Sequence, residues 1–416
     1  MSKTTYLFYV FLFGMFLGID RLAVFAQKPV EYTTFIILTC FLIYGFFYWK
    51  RGKVNNVLFN RKAKIIVCGF TLLMFVTPLV PLVNYGQSYI LTLLSQRGCY
   101  VWILLIIMIW MRPSPNEIMK ALKYICMISF LLWLLSVVMP DLFIDNAEEF
   151  LTKRRQGYTS DIGMKVPGFI LSVFFILYVN NLMMKVKGNT RLFLIASMLL
   201  LWAIVYQNRS TLLIIGISYA YSLLRSPYIR TPKTILLLLL SIIIFFPFGL
   251  KILMNLVEES QNQLDESTYN RWIALDQFLI SADYHWYTIM FGHGVVANSG
   301  KYMEMIVDIG DKGGYLADIG LIGSFWYYGA FPIWVLISCS IMSFSKRIPS
   351  YIKLYSLWLW IVPTQHNYLH PYVSTNLPII IYVYLVFYYY YVKKRYRVSI
   401  CILKNVYEKF KESTIV

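Results

Sequence analysis

Four residues of this chain have types and settings suited to moving a group on an anionic substrate. Arg209 stands in Gln207-Asn208-Arg209-Ser210, between two apolar runs with almost no loop around it. A guanidinium held at membrane depth is unfavourable unless it lines a cavity with a partner. In such a place its planar fork suits a phosphate or diphosphate ester. The other use for it is to cap the turn and snorkel to the headgroups. Arg271, in Tyr269-Asn270-Arg271-Trp272, falls in the first turn of an expected helix. A cation there opposes the helix dipole, which an anionic ligand would offset; a solvated polar face would also accommodate it.

The other two could carry protons. His293, in Phe291-Gly292-His293-Gly294, is an imidazole on an expected flexible, exposed loop, and its ordinary pKa suits proton transfer near neutrality. Asp318, in Ala317-Asp318-Ile319-Gly320, begins an apolar run, where a carboxylate can act as a base, pair with an arginine, or favour the helix dipole. Asp318 is the slightly preferred base. His366 and His370 are four apart, a metal-ligand spacing, but no Glu-x-x-His context or third ligand accompanies them. There is no P-loop, no GxGxxG after a strand and no GxSxG, so chemistry on soluble nucleotides at the inner side has no support.

The elements that must position these residues are apolar. The chain is 59% hydrophobic and 14% charged, with a mean hydropathy of +0.61. A soluble protein could not bury that much apolar surface. Runs at 5–25, 32–49, 65–83, 89–111, 122–139, 167–184, 191–207, 211–224, 234–254, 317–342, 351–369 and 377–392 each suit a membrane crossing. The expected fold is all-α: one transmembrane domain over 1–416 with about 12 helices and both termini inside. Threaded that way, the 38 Lys and Arg divide 26 to 12 in favour of the inside, and the 20 Asp and Glu divide 17 to 3 in favour of the outside. The net charge of +18 therefore reflects inner anchors such as Lys393-Lys394-Arg395, and nucleic acid is not implied. Two polar stretches face outward, a first loop at 140–166 and a large one at 255–316. In the second, Ser267 can cap a helix running to Ser281, with Trp272, Leu275, Phe278 and Leu279 as an apolar stripe laid on the outer leaflet. The six cysteines form no close pair, so neither disulfides nor zinc are expected. The run after Lys3 is taken as an uncleaved first helix, not a signal peptide.

This layout resembles the bacterial O-antigen and capsule polymerases, which share a superfamily with the O-antigen ligases. Asn208-Arg209-Ser210 is similar to that family's Ser-Arg-Ser-like turn before a span. Arg271-Trp272 followed by Phe291-Gly292-His293-Gly294 is similar to its loop arginine and later Gly-x-Gly. Ala317–Gly323 with Tyr328-Gly329 resembles the run that follows the loop. The ligases carry a His-Asn pair just before that run; here the stretch reads Asp308-Ile309-Gly310-Asp311-Lys312-Gly313-Gly314, which favours polymerase over ligase.

The resemblance implies a glycosyltransferase without cofactor or metal. It would join polyprenyl-diphosphate-linked oligosaccharide repeat units on the outer face of a bacterial inner membrane and release polyprenyl diphosphate. Arg209, Arg271, Asp318 and His293 would be catalytic. Arg97, Asn208, Tyr269, Trp272, His366 and His370 would bind substrate. Membrane lipid, a flippase and a chain-length regulator are the implied partners. The rival class is a transporter, either a lipid-linked oligosaccharide flippase or a secondary carrier. Carriers concentrate charge near the midplane in related halves, whereas here the polar mass is an outer loop.

Overall fold

The computed structural model describes residues 1–16, 27–50, 61–96, 107, 111, 113–139, 168–185, 190–205, 209–225, 254, 270–282, 284–297, 300–344 and 348–361. Among them the structure is helical and has no strand. The helices are α1 Lys3–Phe16, α2 Gln27–Lys50, α3 Arg61–Val76, α4 Leu79–Tyr85, α5 Tyr89–Ser95, α6 Pro115–Val138, α7 Phe169–Met183, α8 Thr190–Val205 and α9 Arg209–Arg225. They continue with α10 Asn270–Leu275, α11 Trp286–Phe291, α12 Lys301–Asp311, α13 Gly320–Tyr328, α14 Ala330–Ser343 and α15 Ser350–Ile361. The first loop (140–166), the last span (377–392) and nearly all of the ninth lie outside the described residues.

Two helical groups meet along α14 and α15. In the first, α7 is the hub and packs on α6, α8, α9 and α15. Apart from Ser172, Asn180 and Asn181 its sequence is apolar all round, as a helix surrounded by others requires. Leu171, Val173, Phe174, Ile176, Leu177 and Val179 are buried, and Phe174 sets its edge against Tyr355 at 4.9 Å. α1 lies on α6 and α2 through Tyr6, Leu7, Val10 and Phe11, one helical face. The second group joins α3 and α4 to α10–α14.

Local chemistry sets the boundaries. α6 starts at Pro115, seven residues before the expected span, because Ser114 and Glu117 close a capping box around a proline at the first helical position. The third span breaks between α3 and α4 at Thr77-Pro78, since proline has no N–H to continue the ladder. The tenth run, read as one helix over 317–342, is a 3₁₀ turn at Leu316–Ile319, then α13, then α14, parted at Gly329.

Cys68–Tyr85 and Pro115–Leu135 are long and apolar enough to cross a membrane, while Ile36–Tyr48, Leu171–Met183, Arg191–Ile204 and Thr211–Arg225 are shorter apolar helices. Polarity is inverted on α9. Its buried side carries Thr211, Ser218 and Ser222 beside Ile214 and Ile215, and its exposed side carries Leu213, Ile217, Tyr221 and Leu224. On α14, Ser340 and Ser343 are buried while Ile337 and Ile341 face outward.

Candidate functional site

The described part of the segment read as a large outer loop, from Asn270 on, is folded onto the helices. Three ties bind it to α4 and the turns on either side of it. Thr77 Oγ1 donates to the Phe291 carbonyl at 3.1 Å, and Tyr287 Oη donates to Asn84 Oδ1 at 2.8 Å. Gln87 is buried and uses both ends of its amide: Nε2 donates to the Val295 carbonyl and Oε1 accepts from the Ala297 N–H, each at 2.9 Å.

The fourth tie is backbone on backbone. The His293 N–H donates to the Trp326 carbonyl at 2.6 Å and the Gly294 N–H to the Tyr327 carbonyl at 3.1 Å. Two glycines permit this approach. A Cβ at Gly292 (φ +77°) would stand 2.4 Å from the Tyr327 backbone, and one at Gly329 (φ +71°) would stand 2.4 Å from the Met290 carbonyl oxygen. Side chains are excluded at both positions by conformation and by space.

His293 is thereby drawn inside. It is 3% exposed, contrary to the expectation of a solvated loop histidine. The reason is the flanking glycine pair, which lets the loop lie flat on α13. The imidazole stacks on the Trp326 indole with centroids 3.8 Å apart and planes 6° from parallel, and the Tyr284 ring meets it edge-on at 5.6 Å. Its Nδ1 is 2.9 Å from the Tyr85 hydroxyl. Trp326 Nε1 donates to the Tyr302 hydroxyl at 2.9 Å, which donates to the Gly294 carbonyl at 3.0 Å. Tyr85 stacks on Tyr302 at 4.1 Å. Four rings thus form a closed circuit, alternately stacked and hydrogen-bonded. His293 Nε2 is buried and has no hydrogen-bond partner among the described residues.

Burial dominates the electrostatics here. It pushes His293 down to about 4, with His285 adding repulsion, so the ring is neutral at physiological pH. Burial also raises Tyr284 to about 12 and holds Tyr302 far above the usual phenol range.

The elements bearing two other candidates pack close by. α10, which carries half-buried Arg271, lies on the 3₁₀ turn that contains Asp318. The turn of π-helix after it, Asp276–Ile280, packs on α13, where Phe278 meets Trp326 edge-on at 5.0 Å. That π turn, closed by the Ser281 N–H to the Asp276 carbonyl at 2.7 Å, adds a residue to the helical register. The expected apolar stripe is split in consequence. Ala274 and Phe278 are buried, Leu275 is half-buried, and Trp272 and Leu279 face outward, Trp272 being 65% exposed.

Arg209 opens α9 in the other helical group. Trp358, in the last turn of α15, donates to Thr211 at 2.9 Å, so the first turn of α9 lies at the end of the bundle toward which α15 runs. α14 connects to α15 through six residues and packs on it, with Ser343 and Ser356 bonded at 2.6 Å. Only the backbone is described for Arg209 and Asp318, and Arg97, Asn208, Tyr269, His366 and His370 lie outside the described residues.

Sequence reasoning missed Tyr85, Gln87, Tyr284, Tyr302 and Trp326. No single ring stands out among the 34 tyrosines and 11 tryptophans of the chain. The one available signal was the glycine pattern, Gly292 and Gly294 around a histidine and Gly329 after Tyr328, since glycines mark close backbone approach.

No protein-family profile matches this chain, and no curated protein matches it.

Proposed function

We propose that this protein is a polytopic membrane glycosyltransferase that joins polyprenyl-diphosphate-linked oligosaccharide repeat units on the outer face of a bacterial inner membrane. The observation that carries the reading is that the segments bearing Arg271, His293 and Asp318 pack on one another through α10, α13 and the 3₁₀ turn. Arg209 opens α9, whose first turn is tied to the last turn of α15 in the other helical group. The inverted polarity of α9 and α14 supports a lipid surround: hydroxyls inside and bare apolar chains outside suit hydrocarbon and not water. The remaining apolar runs, outside the described residues or too short as described, belong to the same arrangement of about 12 spans.

In this reaction the terminal sugar hydroxyl of the acceptor unit attacks the anomeric carbon of the growing chain. A new glycosidic C–O bond forms, the C–O bond to the diphosphate breaks, and polyprenyl diphosphate leaves. The leaving group holds its own negative charge, which Arg209 and Arg271 stabilise as it develops. The hydroxyl proton passes to a base, Asp318 or His293.

The test is elongation by purified protein in liposomes supplied with lipid-linked repeat units. Wild type should give chains of many units and free polyprenyl diphosphate. Arg209→Ala and Arg271→Ala should each abolish the long products, with poor rescue by Lys, which lacks the bidentate fork. A wild type that does not elongate, or full elongation by both Ala variants, would overturn the reading. Loss of all units from the surface lipid in a deletion strain would point to a flippase or a ligase instead.

A further inference from the structure

The two nitrogens of His293 have unlike partners, and this decides what the ring can do. A neutral imidazole has one N–H and one lone pair, and the bond made by one nitrogen sets the character of the other. Nδ1 faces the Tyr85 hydroxyl at 2.9 Å. Two arrangements are conceivable. In one, the phenol O–H donates to the imine nitrogen, which pairs the stronger donor with the stronger acceptor. In the other, an imidazole N–H donates to a phenol oxygen, a weaker pairing, and the Tyr85 proton must find an acceptor elsewhere. The nearest hydroxyl in the circuit is committed: Tyr302 accepts from Trp326 and donates to the Gly294 carbonyl. Tyr302 meets Tyr85 by stacking faces, so no hydrogen bond passes between them. The first arrangement satisfies every hydroxyl in the circuit.

We propose that Tyr85 fixes His293 in the Nε2–H form, so that the ring presents a hydrogen-bond donor, not a base, to an anionic oxygen of a diphosphate. This rests on the reading of the protein as a diphosphate-releasing transferase and deepens it. Nε2 is buried and unpartnered among the described residues. A buried N–H without a partner is unfavourable, and a ligand oxygen accepting from it would remove that cost. The ring is held flat between Trp326 and the Tyr284 edge, so the donor direction is fixed before any ligand binds. Neutrality of the ring suits the role, because a neutral donor needs no proton from solvent and returns none. Tyr85 is a positioning residue, and the proton released by the acceptor hydroxyl goes to Asp318.

The test has a structural and a kinetic arm. In protein labelled with nitrogen-15 histidine, His293 is identified by the signal lost in His293→Gln. The bonded proton should be found on Nε2 and not on Nδ1. Tyr85→Phe should populate both forms, a change that a merely packing role for Tyr85 would not produce. Titration with inorganic diphosphate should move the Nε2 proton of wild type. In the elongation assay, His293→Gln keeps an amide N–H but cannot accept a proton, and should retain activity within about tenfold of wild type; His293→Phe should lose about a hundredfold or more. A proton on Nδ1 in wild type would overturn the proposal. So would a His293→Gln variant as inactive as His293→Phe, or no response to diphosphate. If wild type does not elongate at all, the transferase reading fails, while the nitrogen-15 and diphosphate measurements still decide the state of the ring.

Discussion

Replacing Gly329 by Ala tests whether the contact between the loop and α13 is what seats His293. Gly329 has φ +71° and ψ −160°, a region held almost solely by glycine. An alanine there is strained by roughly 1–3 kcal/mol. The new Cβ would also stand 2.4 Å from the Met290 oxygen, 2.5 Å from its carbonyl carbon and 2.7 Å from the Phe291 nitrogen, all backbone atoms that cannot rotate away. Restoring ordinary contact requires the two segments to part by about 1 Å. The His293–Trp326 backbone bond, now 2.6 Å, would stretch beyond hydrogen-bonding range, and the Gly294–Tyr327 bond, now 3.1 Å, would go with it. Each contributes about 1 kcal/mol. The expected destabilisation is about 3–5 kcal/mol. Gly86→Ala is the control: its φ of +68° imposes conformational strain of about 1 kcal/mol, but nothing lies within 4 Å of the added carbon. The assay is thermal unfolding in detergent together with amide hydrogen exchange at His293 and Gly294. Gly329→Ala should melt well below Gly86→Ala and lose protection at both amides. Equal melting of the two variants with both amides still protected would refute the reasoning.

Three further outcomes are expected. His293 has a folded pKa of about 4 against an ordinary 6.5, so between those values only the unfolded chain binds the proton; stability should fall as pH drops from about 6.5 to 4, by up to about 3 kcal/mol, and be flat for this group above 7. Melting curves from pH 4 to 8 should show that slope in wild type and lose it in His293→Gln, and an unchanged slope in the variant would assign it to other groups. Gln87→Ala orphans the Val295 carbonyl and the Ala297 N–H and should destabilise by about 2–4 kcal/mol, read by the same melts. Reporter fusions at Glu259 and Lys394 should give opposite signals, since the basic residues favour the inside for the second and not the first; matching signals would sink the outward placement of residues 255–316.

What was legible in the sequence was what periodicity and capping can carry. Apolar runs announced helices, and Ser114, Pro115 and Glu117 together contained the true start of α6, although the run itself begins later. The stripe at Trp272, Leu275, Phe278 and Leu279 was read as ideal α-helix, and the π turn at 276–280 defeats any fixed period. The burial of His293 could not be read locally. A lone imidazole between glycines is ordinarily solvated, and what overrides that is its pairing with Tyr85, 208 residues earlier, and its stack on Trp326. The inverted faces of α9 were hidden for a related reason: hydroxyl and aliphatic side chains are interspersed along it without showing which side is covered.

The ties between α4 and the 286–297 segment have a consequence for synthesis. Thr77 and Phe291 are 214 positions apart, and Gln87 and Ala297 are 210 apart. At about 5–20 residues per second, translation takes on the order of 10–40 s to supply the second partner after the first. Through that interval the nascent chain holds Gln87 and Thr77 at the end of an apolar helix with their eventual acceptors and donors unmade. A ribosome arrested near residue 280 would carry α4 complete but unclamped. The interval itself is therefore a window for misassembly or proteolysis that the mature molecule no longer has, closed only when residue 297 has emerged.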